Sequence, residues 1–284
     1  MITVFGATGT IGTHLVAALT AKGEKLRLVT HNPDRRAGLE AQGHEVAIAE
    51  FSDPASLERA CQGADKVFLV TPAHVDIRQW KANVIAAASK TGVRHIVMCT
   101  GLGASPKARL TFGIWHSESQ ELLKDSGLDW TLVQPTYFMQ NLLGQKDSIA
   151  ADGVYLDDLG GPVAWVDARD IADIAAEALT GTGHAGKAYG LTGPAALSGD
   201  EIAGLIGAAT GRTVTSRAVT PDAARAAMIA SGSGVEVADA MVELASLAPK
   251  GYLAGTETTV ADVLGRPARN FADFITENAA VLAG

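Results

Sequence analysis

The chain has 284 residues, 47% of them apolar and only 5% aromatic, and carries a formal net charge of −8. This length and apolar fraction supply a large core, as one big α/β unit or two lobes. The acidic balance, with no basic tract, excludes nucleic acid or an anionic membrane surface as a main partner, and no apolar run approaches the roughly eighteen residues that span a bilayer.

The opening segment, Met-Ile-Thr-Val-Phe-Gly-Ala-Thr-Gly-Thr-Ile-Gly, predicts a strand over Ile2, Thr3 and Val4 that runs into a glycine turn and then a helix over 11–21. Apolar strand-like runs then alternate with helical segments through the first 190 residues. Strands are predicted over 25–30, 44–49, 66–70, 95–100 and 130–134. Helices are predicted from the Asn32-Pro33 turn to Ala41, from Asp53-Pro54 to Gly63, over 76–91 closed by Gly92, and over 117–126 closed by Gly127. Asp53 and Pro54 are a helix N-cap and first-turn pair. The rhythm predicts a Rossmann-like α/β fold, a doubly wound parallel sheet with ligands beyond the carboxyl ends of its strands. Residues 152–166, with Gly153, Gly160, Gly161 and Pro162, read as a looser crossing toward a second lobe, and 167–179 as a helix. Beyond Pro194 the pattern turns to short helices: one after the capping box Ser198-Gly-Asp-Glu201, one from Thr220-Pro221, one over 235–247 and one over 270–282. Residues 1–153 are thus expected to form the dinucleotide-binding domain, with 167–192 returning to it. Residues 154–284 are expected to form a smaller, mainly helical substrate lobe. With the first strand beginning at Met1, no leader is expected and the chain reads as cytoplasmic. Cys61 and Cys99 sit in apolar contexts and read as buried free thiols, and no metal-ligand cluster is evident.

Gly6, Gly9 and Gly12 between strand and helix have a specific physical use. Gly6 permits the tight turn, Gly9 lets the backbone approach a pyrophosphate, and Gly12 allows helix and strand to pack closely. The phosphates then face the helix N-terminus, where free N–H groups and the dipole favour anions. At the end of the second strand, Thr30-His31-Asn32-Pro33-Asp34-Arg35-Arg36 has no carboxylate at its tip to accept from a ribose 2′-hydroxyl. Arg35 and Arg36 instead fall in a helical first turn, where the dipole disfavours cations. That points to a bound anion, hence NADP in preference to NAD. The alternative is a solvated arginine pair balanced by Asp34 and Glu40.

These motifs resemble the NmrA-like group of atypical short-chain dehydrogenases, and within it the NADPH-dependent quinone oxidoreductases and triphenylmethane reductases. The resemblance is carried by Gly6-Ala-Thr-Gly-Thr-Ile-Gly12, Ser126-Gly-Leu-Asp-Trp-Thr-Leu-Val-Gln-Pro135, Tyr137-Phe-Met-Gln-Asn141, Gly183-His-Ala-Gly-Lys-Ala-Tyr189, Leu264-Gly-Arg-Pro267 and Phe271-Ala-Asp-Phe274. It implies that Gly6, Thr8, Gly9, Thr10, Ile11 and Gly12 wrap the pyrophosphate. It also implies that Phe51 lies by adenine, Thr71 and Pro72 by the ribose nearer nicotinamide, and Thr100 with Pro135 to Tyr137 by nicotinamide. Two departures are visible. His31 stands where the family often has arginine, leaving the 2′-phosphate to Arg35. The helix position that often reads His-x-x-x-Glu is His116-Ser-Glu-Ser-Gln120 here.

Short-chain dehydrogenases typically use a Tyr-x-x-x-Lys pair, and none follows the fifth predicted strand. Reducing a simple ketone gains much from an acid catalyst. A quinone becomes a phenolate of pKa about 10, which persists without immediate protonation. The expected activity is therefore hydride transfer to a quinone-like or other conjugated aromatic small molecule, with positioning as the main device. A non-catalytic NADP(H)-sensing regulator is the competing reading, and an oligomer is left open. His116 is a candidate donor or proton source, against a capping or core role. Tyr137 is a candidate donor to a substrate oxygen, against simple packing beside Phe138. Trp115, Phe138 and Met139 suit an apolar cleft or ordinary core. Asp167 and Asp170 read as helix caps before Ile171. Ser117 and Ser119 beside His116 suggest a hydrolase only weakly, since no Gly-x-Ser-x-Gly elbow is present.

Overall fold

β1 (Ile2–Val4) is buried along its whole length and leads through the glycine turn into α1 (Thr10–Ala21). The computed structural model describes all residues from Met1 to Gly284. There follow β2 (Leu26–Thr30), a 3-10 turn (Pro33–Arg35) continuing into α2 (Arg36–Glu40), β3 (Glu45–Ile48), α3 (Pro54–Cys61), β4 (Lys66–Leu69), α4 (Ile77–Thr91), β5 (His95–Cys99), α5 (Thr111–Lys124) and β6 (Asp129–Pro135). Next come a 3-10 stretch (Met139–Gln145), α6 (Lys146–Asp152), β7 (Val154–Asp157), α7 (Ala168–Thr180), β8 (Lys187–Leu191), α8 (Gly199–Thr210) and β9 (Thr215–Ala218). The chain closes with α9 (Pro221–Ala230), α10 (Val235–Ala245), α11 (Thr259–Leu264), α12 (Phe271–Glu277) and α13 (Ala279–Ala283).

Seven strands form one sheet in the order β3-β2-β1-β4-β5-β6-β8. The pairs from β3 through β6 are parallel, with Ile2 opposite both Leu26 and Lys66 and Val67 opposite Ile96. The strand order runs outward from β1 to β3 and then resumes on the other side of β1 with β4. This is the reversal that opens a ligand crevice at the carboxyl ends. A second, two-stranded sheet pairs β7 with β9 in parallel. The chain divides into two units. The first holds Met1–Arg109, Gly113–Gln134 and Ile171–Tyr189, and the second holds Leu110–Phe112, Pro135–Asp170 and Gly190–Gly284. The core of the first includes Phe5, Val29, Leu57, Leu69, Val84, Ile96 and Leu132. That of the second includes Leu142, Ile149, Tyr155, Val163, Ile206 and Ile275. No helix is long and apolar enough to cross a membrane.

Local signals placed many boundaries. Asp53 accepts from Ala55 N–H, Thr220 from Ala223 N–H, and Ser198 with Glu201 closes a reciprocal capping box. Gly92 caps α4 at φ 81°. Four expectations need correction. The segment from Asn32-Pro33 starts as a 3-10 turn over Pro33–Arg35, capped by the Asn32 side chain, which accepts from Asp34 N–H, before it becomes α-helical at Arg36. α5 begins at Thr111, not at Ser117, because the Glu243 carboxylate accepts Thr111 N–H at 2.7 Å. No local residue signals that cap. The stretch 152–166 contains a real strand, β7, which forms only because β9, some sixty residues later, pairs with it. The helix expected over 270–282 is two helices, broken where Asn278 Nδ2 donates to Phe274 O at 2.8 Å and its backbone leaves the helical basin.

Candidate functional site

In the first unit, parallel strands bring the residues that follow β1, β2, β4 and β5 to one edge of the sheet. Gly6 turns there at φ 74°, and a Cβ on it would lie 2.5 Å from Val70 Cγ1, at the end of β4. A Cβ on Gly12 would lie 2.0 Å from the Gly6 carbonyl oxygen, so only glycine allows α1 to start this close to β1. Thr8, Gly9 and Thr10 are exposed, while Ile11 and Gly12 are buried. Gly9 is the N-cap of α1 and brings no side chain to it, and the first turn holds no acidic residue. The amides of Thr10, Ile11 and Gly12 precede the first helical bond, Thr13 N–H to Gly9 O. A twelve-residue helix whose N-terminus has no side-chain cap, preceded by a glycine-rich turn, fits a diphosphate.

His31, immediately after β2, is exposed, as are Arg35 and Arg36. The two arginines differ in their partners. Arg36 Nε donates to Glu40 at 2.7 Å, whereas no carboxylate pairs with Arg35. The balanced-pair alternative therefore accounts for Arg36 only. Phe51, beyond β3, is half-buried and stacks on Trp80 at 5.5 Å, which stacks in turn on His74 at 4.1 Å. Asn83 Nδ2 donates to the Phe51 carbonyl at 2.9 Å and fixes that loop on α4. Trp80, His74 and Asn83 were not marked by any sequence motif.

Thr71, beyond β4, has a buried hydroxyl with no protein partner, and Pro72 beside it is exposed. Thr100, beyond β5, is buried and accepts a 3.0 Å bond from Gln120 Nε2. The amide that replaces the family's acid thus has a role, since it holds the Thr100 oxygen and leaves the Thr100 O–H free to donate. His116 lies in the second turn of α5, with Cδ2 3.1 Å from where a Cβ on Gly101 would be. Burial, reinforced by the positive charge of Lys81, pushes its imidazole down to about 3. His116 is therefore neutral at physiological pH. Lys81 itself is 1% exposed, and its Nζ donates to the Cys99 carbonyl at 3.0 Å. Burial brings its ammonium down to about 8, and Cys99 is pushed up to about 12 by its own burial. The sequence conceals Lys81 in plain view. It occupies the apolar stripe of α4 between Ile77 and Ile85, at the four-residue spacing where a hydrophobe is expected.

Pro135 and Tyr137 belong to the second unit. Pro135 is buried. Tyr137 stands edge-on to Trp165 at 5.6 Å, and Trp165 stacks on Phe271 at 5.7 Å. The Tyr137 hydroxyl and the Trp165 indole nitrogen are both buried without a protein partner. Burial, and then Asp158, raise the Tyr137 phenol above its ordinary range. Met139 is core, while Trp115 and Phe138 are half-buried. Asp167 does cap α7, accepting from Arg169 N–H at 2.8 Å, and it also holds the Arg169 guanidinium and Gln140. Asp170 does not cap. It is fully buried and receives Arg266, Arg269 and the Arg269 amide.

A family model described as NAD(P)H-binding matches residues 6–182. An NAD(P)H azoreductase of Xenophilus azovorans is 45% identical over 281 residues, covering 99% of this chain and 98% of that protein. A (4-alkanoyl-5-oxo-2,5-dihydrofuran-3-yl)methyl phosphate reductase of Streptomyces griseus is 37% identical over 287 residues, covering 100% and 99%. The crystal structure of an NADPH-dependent quinone oxidoreductase of Escherichia coli complexed with NADPH matches with a TM-score of 0.86 at 28% identity, over 98% of this chain and 99% of that one. The glycine cradle, the uncapped helix and these full-length relationships agree, and the chain belongs to the NAD(P)H-binding family.

Proposed function

We propose that the protein is an NADPH-dependent reductase of electron-poor conjugated small molecules such as azo compounds and quinones. The observation that carries this reading is the β5–α5 turn, where Gln120 holds Thr100 and the histidine beside it carries no charge. Bound NADPH supplies the hydride. Gly6, Thr8, Gly9, Thr10, Ile11 and Gly12 hold its diphosphate by backbone amides, Arg35 and His31 receive the 2′-phosphate, and Phe51 flanks the adenine. Thr71 and Pro72 receive the ribose nearer nicotinamide, and Thr100 orients the nicotinamide. A neutral His116 has no imidazolium proton to give at neutral pH, so it acts as a hydrogen-bond donor or packing surface. The Tyr137 hydroxyl, buried and without a protein partner, serves as a donor to an acceptor oxygen or nitrogen. This arrangement suits quinones, whose reduced form is a phenolate of pKa about 10, and azo compounds in so far as water reaches the second nitrogen to supply the proton that completes the hydrazine. It suits simple ketones poorly, because their alkoxides need an acid at once.

The test is loss of NADPH absorbance with a panel of azo dyes, naphthoquinones, a butenolide and cyclohexanone. Turnover is expected with the conjugated members and not with cyclohexanone. Binding of NADPH with no turnover of any conjugated acceptor above the uncatalysed rate rejects the reading.

The cofactor assignment has its own test. Arg35→Ala is expected to raise KM for NADPH about 10- to 100-fold, the equivalent of one charge-assisted hydrogen bond, and to leave KM for NADH unchanged. Equal effects on both cofactors would show that Arg35 does not read the 2′-phosphate.

A further inference from the structure

A lysine that is 1% exposed needs a reason, because an ammonium carries three donors and its charge is costly to desolvate. Lys81 meets one protein acceptor, the Cys99 carbonyl. No carboxylate pairs with it. On the elements packed around it, the titratable groups that interact with Lys81 are Cys99 of β5 and His116 of α5. Carboxylates of the flanking helices form ion pairs with other cations of α4, Glu58 of α3 with Lys90 and Glu118 of α5 with Arg78. The anchored carbonyl immediately precedes Thr100, which Gln120 holds from the other side. Three elements thus converge on one turn, with a single cation beneath it.

We propose that Lys81 is an electrostatic positioning residue. Its buried ammonium holds the Cys99–Thr100 turn by the Cys99 carbonyl and biases the site toward the neutral, reduced nicotinamide over the cationic, oxidised one. This inference rests on the reductase reading, which puts the nicotinamide at Thr100. A positive charge at this turn would repel the pyridinium form of a nicotinamide bound at Thr100 and leave the neutral dihydropyridine form nearly unaffected. The same charge favours the anion formed on the acceptor and adds to burial in keeping His116 unprotonated. Bias toward the reduced form helps load the site with NADPH and release NADP+ after turnover. The bias is present while Lys81 is charged and fades as pH rises through about 8.

The test compares affinities for NADPH and NADP+ by calorimetry at neutral pH and well above the Lys81 pKa. The phosphates are common to both forms, so the affinity ratio isolates the nicotinamide charge. In the unmodified protein, the preference for NADPH is expected to shrink by about tenfold across that range. Lys81→Met, which keeps the buried volume, is expected to lack the preference at both pH values, and Lys81→Arg to keep it at both. In the cofactor-free protein, NMR titration of His116 is expected to move upward in Lys81→Met. A ratio independent of pH in the unmodified protein overturns the proposal without recourse to any variant that fails to fold. So does a Lys81→Met protein with an unchanged ratio and an unchanged His116 titration. If no acceptor is reduced while the pH-dependent ratio and the His116 shift are intact, the reductase reading fails and Lys81 keeps its electrostatic role.

Discussion

Gly12→Ala is expected to abolish measurable NADPH binding and to destabilise the protein by about 1–3 kcal/mol, the usual range for forcing a methyl into filled space. The new Cβ would lie 2.0 Å from the Gly6 carbonyl oxygen and 2.8 Å from Ala7 Cα. Both obstacles are backbone, so no side chain can swing aside. α1 must tilt away from β1, and the amides of Thr10, Ile11 and Gly12 then no longer converge on one point. Gly9→Ala is the control, since its Cβ would meet only the Gly6 oxygen, at 3.4 Å. That variant is expected to melt within a few degrees of the unmodified protein while binding NADPH more weakly, because the added methyl faces the diphosphate. Thermal unfolding and calorimetry on both variants separate packing from ligand approach. A Gly12→Ala protein with unchanged affinity would refute this account of the turn.

Asp170→Ala is expected to cost about 3–5 kcal/mol in urea unfolding, the range seen when one member of a buried charge cluster is removed. The carboxylate is fully buried and receives Arg266 Nη2 at 2.8 Å, the Arg269 amide at 2.8 Å and the Arg269 guanidinium. Both arginines are about one-third exposed, 34% and 32%, so water compensates them in part and the lower end of the range is expected. Asp170→Asn keeps an acceptor for the amide and is expected to fall between the two. The segment after α11 would lose its anchor to the start of α7, which explains the Leu264-Gly-Arg-Pro267 motif as structural. A loss below about 1 kcal/mol for the alanine variant, typical of a surface pair, would contradict this assignment.

The extent to which the site was legible in the sequence depended on how local its causes were. Gly6 and Gly12 could be read in advance because the constraint on each lies within a few residues, in a turn that connects one strand to one helix. Asp53, Ser198 and Thr220 were readable for the same reason, since a cap bonds to an amide two or three positions ahead. Gln120 was visible only as a departure from a family pattern, and its bond to Thr100 gave it a purpose. The start of α5 was hidden because its cap comes from Glu243, 132 residues away. β7 was hidden because a four-residue strand carries little signal until its partner is known.

The parallel sheet, the cofactor turn and the absence of a Tyr-x-x-x-Lys pair followed from the order of residues alone, because alternating periodicity and glycine spacing are short-range properties of a chain, whereas the order of the strands in the sheet did not. Charge states did not follow in this way. That Arg35 stands unpaired while Arg36 is neutralised, that His116 is uncharged, and that Lys81 is buried beneath the β5–α5 turn were decided by which helices pack on which strands. Desolvation and Coulomb interaction depend on neighbours in space, and only the folded arrangement supplies them.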